Sequence, residues 1–123
     1  MSNEIRRMSR IVSVIRELVE PDLPLQQLAL LLLIAEAGEE GITMPEAAVK
    51  LNMGQTSVSK NAKALSRYAE DRGGTLVIKG LELIEARPDL LERRRLRMSI
   101  TPKGVQLLDR VVEEVRHVGV QAR

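Results

Sequence analysis

The chain has 123 residues, 44% of them hydrophobic, enough for one folded core and too apolar for wholesale disorder. It contains no Cys, Phe or Trp, and Tyr68 is its one aromatic residue, which excludes disulfides, thiolate chemistry and zinc-finger ligation and makes the core aliphatic. Nineteen basic residues stand against 17 acidic ones, a formal net charge of only +2, so any polyanionic partner has to be met by local clusters of charge.

In chain order, Ile5, Met8, Val12, Ile15 and Val19 recur at spacings of three and four. This predicts an amphipathic helix stopped by Pro21, with Arg6, Arg7, Arg10 and Arg16 on its polar side. The opening MSNEIRRMSR lacks the basic-then-apolar run of a signal peptide. The longest apolar run, Leu28 to Ala35, is eight residues, where a membrane span needs about 20. A cytoplasmic location without a membrane partner is therefore expected. The stretch PLQQLALLLLIAEAG, from Pro24 to Gly38, is apolar nearly all round and predicts a central buried helix closed by a glycine cap.

Thr43 can cap a short helix with Pro45 in its first turn, ending near Leu51, and Asn52, Met53 and Gly54 interrupt it. A second helix is predicted from Gln55 to about Asp71, closed by Gly73 and Gly74, with Val58, Ala62, Leu65 and Ala69 on its buried face. Two helices joined by a short glycine-containing turn form a helix-turn-helix, here residues 43–71. After the glycines the period changes. TLVIKGLELIEA is β-branched and aliphatic with a turn at Lys79-Gly80, and RLRMSI alternates, Leu96, Met98 and Ile100 one way and Arg95, Arg97 and Ser99 the other. Thr101 and Pro102 then open a last helix with an apolar stripe at Val105, Leu108, Val111 or Val112, and Val115. The fold class predicted is mainly α with a small β-hairpin wing, a winged helix-turn-helix in a single domain over 1–123. Residues 76–100 form its wing, and residues 1–20 and 102–123 form dimerisation helices.

The candidate site lies on the second helix of the pair and on the wing. Gln55, Thr56, Ser57, Ser59, Lys60, Asn61, Lys63 and Arg67 make up the polar side of the helix. Short and amide-bearing side chains at its start suit base edges, while backbone N–H groups at a helix N-terminus favour phosphate. Arg93, Arg94, Arg95 and Arg97 crowd the wing, where a tip arginine reaches phosphate or enters a narrow minor groove. A solvated charge run has no need of arginine in particular, nor of a hairpin placed after a helix-turn-helix.

LNMGQTSVSKNAKAL and LIEARPDLLERRRLRMSITPKG resemble the recognition helix and wing of MarR-type winged-helix regulators. That family's wing reads as an acid, any residue, an arginine, then a stretch to Leu-Thr-x-x-Gly. Glu92 stands where Asp is usual, Arg94 matches the arginine, and Ile100, Thr101 and Gly104 match the close. The resemblance covers roughly residues 43–104. It implies that Arg94 is the wing arginine, that residues 55–60 face the major groove, and that the chain dimerises through its terminal helices. The stretch GGTLVIKGLEL is longer than the family's link from recognition helix to wing, so an additional turn or strand is expected there. The family also binds aromatic effectors, but one tyrosine offers little stacking surface, so a small-molecule effector is allowed by the resemblance and unsupported by the residues.

No catalytic constellation, metal site or cofactor motif is expected. His117 is the lone histidine and reads as a surface residue; Gly73-Gly74 lacks the Lys-Ser/Thr of a phosphate loop; the pairs Glu39-Glu40 and Glu113-Glu114 read as solvated faces. The function expected is sequence-specific binding of double-stranded DNA by a homodimeric transcriptional regulator, a repressor acting by occlusion. The alternative is a replication, partition or nucleoid-organising protein that uses the same fold on DNA repeats.

Overall fold

A computed structural model describes the backbone of residues 2–121 and the side chains of residues 2–116. His117 thus falls outside the described side chains. The chain forms two compact units, Pro24–Gly104 and the pair of segments Met1–Leu23 and Val105–Arg123.

In the flanking unit, α1 (Asn3–Leu18) begins where the Ser2 hydroxyl accepts the Ile5 N–H and stops ahead of Pro21, as the spacing predicts. α5 (Pro102–Gln121) is the other long helix. Val14, Ile15 and Val111 are buried, whereas Ile5, Met8, Ile11, Val12, Val105 and Val112 remain exposed. The apolar stripe that the sequence places on each helix is thus largely uncovered in the single chain.

In the central unit, α2 (Leu25–Ala37) packs against α3 (Met44–Leu51), α4 (Gln55–Leu65) and β5 (Leu96–Ile100). Leu30, Leu31 and Ile34 on α2 have no exposed surface. Truncating one of them to Ala would cost about 2–5 kcal/mol, because a core filled by aliphatic neighbours collapses only partly into the void. The Thr43 hydroxyl caps α3, accepting the Glu46 N–H at 3.3 Å and donating to the Glu46 carboxylate at 2.9 Å. α3 ends at Asn52, which takes the left-handed conformation at φ 52° and donates its N–H back into the last turn. β1 (Ile42–Thr43) pairs antiparallel with β5, and β5 with β4 (Ile84–Pro88), so the residues just before the helix-turn-helix are stitched to the wing. Along β4 and β5 the alternation holds: Ile84 and Met98 are buried, while Glu85, Arg87, Arg97 and Ser99 share the opposite face.

One element departs from the expected order. α4 ends at Leu65, not near Asp71, and β2 (Tyr68–Arg72) and β3 (Thr75–Lys79) form a separate two-stranded hairpin. Ser66 leaves the helix with extended backbone at ψ 177° while its hydroxyl donates to the Ala62 carbonyl at 2.7 Å. Gly73 and Gly74, expected as a helix cap, make the two-residue hairpin turn, both at positive φ, with the Asp71 carboxylate accepting the Gly74 N–H. Ala69, expected in the core, is exposed on this hairpin. Gly80, at φ 92°, then brings the chain back so closely that a side chain there would collide with the Ser66 carbonyl. Leu81 and Leu83 donate to the carbonyls of Ala64 and Leu65 and lock the return. The extra strand expected in this link is present, and the wing proper is β4–β5 rather than residues 76–100.

Candidate nucleic-acid interface

α4 starts at Gly54, which offers no side-chain cap, so the first N–H groups of the helix are left for solvent or a ligand. Gln55, Thr56, Ser59, Lys60 and Lys63 follow at spacings of one and three to four, which brings them to one helix face. With Met44 from α3 they line an open groove of about 570 Å³. The groove is cationic at its far end and polar at its near end, since both lysines lie beyond the amide and hydroxyl side chains. Lys63 Nζ sits 4.8 Å from the centre of the Tyr68 ring, a cation–π contact that ties the end of α4 to β2.

Three of the expected helix residues are placed differently. Asn61 is buried at 8% exposure, and its amide donates to Gln26 Oε1 at 3.4 Å. Ser57 is half-buried and donates to the same oxygen at 3.2 Å. Both therefore fasten α4 to α2 instead of facing the groove. Arg67 is exposed but lies past the helix end, in the link to β2, because α4 stops early. Gln26 was missed as the acceptor that holds this pair. It is the exposed second residue of α2, beside Gln27, and nothing local in the sequence marks it for this role.

The wing divides its arginines the same way. Arg97, expected on the wet face of β5, donates to the Asp89 carboxylate at 3.1 Å and to the carbonyls of Glu40 and Gly41 at 3.0 and 3.3 Å. Asp89 is 7% exposed, so this ion pair is partly withdrawn from water. Arg97 also stands opposite Arg87 across the sheet, where two like charges repel; Asp89 on one side and Glu85 on the other answer them. Arg97 is thus an anchor of the wing's base. Arg93, Arg94 and Arg95 are exposed at the tip, and among the described residues none has a carboxylate within ion-pairing distance. Glu92 turns its carboxylate to the Arg94 backbone N–H at 3.5 Å. The structure therefore brings together a five-residue groove on α4 and, on the same compact unit, a three-arginine wing tip.

No protein-family model and no curated protein matches the chain. Solved structures do match in fold. A point mutant of S. aureus MepR bound to an oligodeoxyribonucleotide superposes with a TM-score of 0.71 at 16% identity, covering 97% of this chain and 75% of that one. RV1404 from Mycobacterium tuberculosis gives 0.71 at 18% identity over 94% and 67% of the two chains. A MarR-family transcriptional regulator from Rhodococcus sp. RHA1 gives 0.57 at 18% identity over 96% and 74%. The fold is the MarR-type winged helix, with five α-helices and a small antiparallel wing.

Proposed function

We propose that the protein binds double-stranded DNA as a homodimeric transcriptional regulator and represses by occupying its site. The observation that carries this reading is the pairing, on one compact unit, of an open polar and cationic groove along α4 with a wing tip of unpaired arginines. A helix face of this size enters a major groove with its N-terminal turns, and a cationic hairpin reaches the neighbouring backbone or minor groove. Gln55, Thr56 and Ser59 take the base edges, while Lys60, Lys63, Arg93, Arg94 and Arg95 take phosphates. Ser57, Asn61 and Arg97 support these contacts from behind. The likeness to a MepR protein bound to an oligodeoxyribonucleotide supports the same use of the fold.

Dimerisation rests on the uncovered stripes of α1 and α5, where Ile5, Met8, Val12, Val105 and Val112 are all exposed in one chain. Two copies that cover these stripes would hold two wings and two α4 helices for half-sites about one turn (~34 Å) apart. Selection of bound sequences from random and genomic DNA tests the whole reading at once. The expected product is a single inverted repeat. Tandem repeats would transfer the protein to replication or partition, and no measurable affinity at low salt would overturn DNA binding altogether. Light scattering that finds a monomer at micromolar concentration would overturn the dimer.

A further inference from the structure

The wing carries a feature that phosphate binding does not use. Between Pro88 and Leu96 the loop is closed at its base, with the Asp89 N–H donating to the Arg95 carbonyl at 2.9 Å and the Arg95 N–H to the Glu92 carbonyl at 3.0 Å. The part-buried Asp89–Arg97 pair locks the same base from the side. From this fixed base project Leu90 and Leu91, 96% and 95% exposed. Among the described residues no other large apolar side chain is as exposed, and none covers them.

A tip made only to turn the chain in water would carry Gly, Asn, Asp or Ser. Here Arg93 and Arg94 sit at the corner of the Glu92–Arg95 turn, and Leu90 and Leu91 stand exposed in the segment just before it, with one acid, Glu92, among them. The chemistry that fits exposed apolar side chains beside a cationic turn is a polyanion with an apolar interior. The DNA minor groove is such a partner: its walls are phosphates, and apolar side chains, leucine among them, can wedge between its stacked bases. Its narrowness, about 6 Å, admits a hairpin tip more readily than a helix.

We propose that Leu90 and Leu91 insert as an apolar wedge into the minor groove flanking each half-site, unstack one base step and bend the duplex. Arg93 and Arg94 hold the phosphates on either side. This rests on the DNA-binding reading above and adds to it a deformation that recognition alone does not require. It also makes the flanks part of the specificity, since pyrimidine–purine steps unstack most readily.

The test uses the full-length protein and a duplex bearing its selected site, with 2-aminopurine placed in turn at each flanking step. Wild type should raise the fluorescence at one step in each flank and bend the duplex by roughly 20–90°, read by energy transfer between its ends. The Leu90→Ala, Leu91→Ala double variant should abolish both signals and weaken binding about tenfold. Its salt dependence should stay unchanged, since no phosphate contact is removed. Both side chains lie clear of the core, so the variant should fold like wild type, and its far-ultraviolet dichroism reports this. Tight wild-type binding without a fluorescence rise overturns the wedge and leaves the proposed function standing. A double variant that still unstacks the flank overturns it equally. If the variant instead loses only self-association, or only binding to anionic phospholipid vesicles, the leucines face a second copy or a lipid surface and the wedge is wrong. Absence of any DNA binding by wild type removes both readings together.

Discussion

The molecule has two hairpins of five-residue strands, and they handle charge in opposite ways. In β2–β3, Glu70 is shared by Lys79 at 2.9 Å and Arg72 at 3.5 Å, so its charges are answered within the hairpin. The sheet has only these two strands, and Lys63 lies over its Tyr68 ring. In β4–β5 the pairing is confined to the base, where Asp89 holds Arg97 and β1 adds a third strand, while among the described residues the arginines at the tip have no ion-pair partner. The comparison teaches that arginine content alone does not mark an interface. What marks it is a stiff, satisfied base that carries an unsatisfied tip.

The largest effect should come from breaking that base. Asp89→Ala leaves Arg97 with two carbonyls and facing Arg87, without its carboxylate. Loss of a fully buried partner costs several kcal/mol, but the Arg97 side chain is 34% exposed, so about 2 kcal/mol is expected. Urea denaturation reads it directly. Arg97→Ala should cost a similar amount, and the double variant clearly less than the sum, because each removes the same pair. Additive losses would mean that the base is not held by this contact.

Next in size is the tip. Arg94→Ala should weaken binding to all sequences alike and lower the salt slope by about one for each half-site. The matched change in the self-paired hairpin, Arg72→Ala, should leave both affinity and slope where they were. Equal effects from the two arginines would erase the distinction between the hairpins. On α4 the division is finer. Gln55→Ala should relax preference at one base pair per half-site by about 1–3 kcal/mol, with non-specific affinity nearly intact. Lys63→Ala should lower affinity uniformly and less than Arg94→Ala, since Lys63 also serves the Tyr68 ring. Binding profiles over single-base variants of the site separate the two; a shifted base preference in Lys63→Ala would misplace the helix in its groove.

The same contrast explains what could be read from the residues. The helices, the glycine-interrupted turn at Asn52–Gly54 and the alternation of β5 were legible because local periodicity and capping decide them. The end of α4 was not. Val58, Ala62, Leu65 and Ala69 keep helical spacing past the true stop, and only the Gly73-Gly74 pair, flanked by five residues on each side, signals a hairpin. Hairpin turns and helix caps draw on the same residue, glycine at positive φ, and tertiary contacts decide between them; here Gly80 against Ser66 does so. The exposed groove residues were legible from the polar face of α4. Asn61 and Arg97 were misplaced because Gln26 and the carbonyls of Glu40 and Gly41 lie far off along the chain, and Asp89 meets Arg97 only once the wing folds back on itself. A polar side chain is assigned to solvent by default when its acceptor is not nearby in sequence.

The smallest expected effect isolates the self-paired hairpin by pH. The Lys79 hydrogen bond to Glu70, with the attraction of the same ammonium, holds the Glu70 carboxyl below its ordinary value, against a small opposing effect of burial. A carboxyl with a depressed folded-state value binds its proton less tightly when folded than when unfolded. Its contribution to stability is therefore present in full above the unfolded-state value and disappears as pH falls through the folded one. Wild type should exceed Glu70→Gln in denaturation midpoint at neutral pH by a small margin, because the group is exposed to solvent and salt screens it. The two midpoints should converge in acid, below the folded value of Glu70. The nuclear magnetic resonance titration of the Glu70 side chain should move up toward the ordinary carboxylate range in Lys79→Met, where the hydrogen bond and charge are both gone. A Glu70 titration unmoved by that change would mean that the hairpin's charges are not answered internally, and the contrast with the wing would lose its basis.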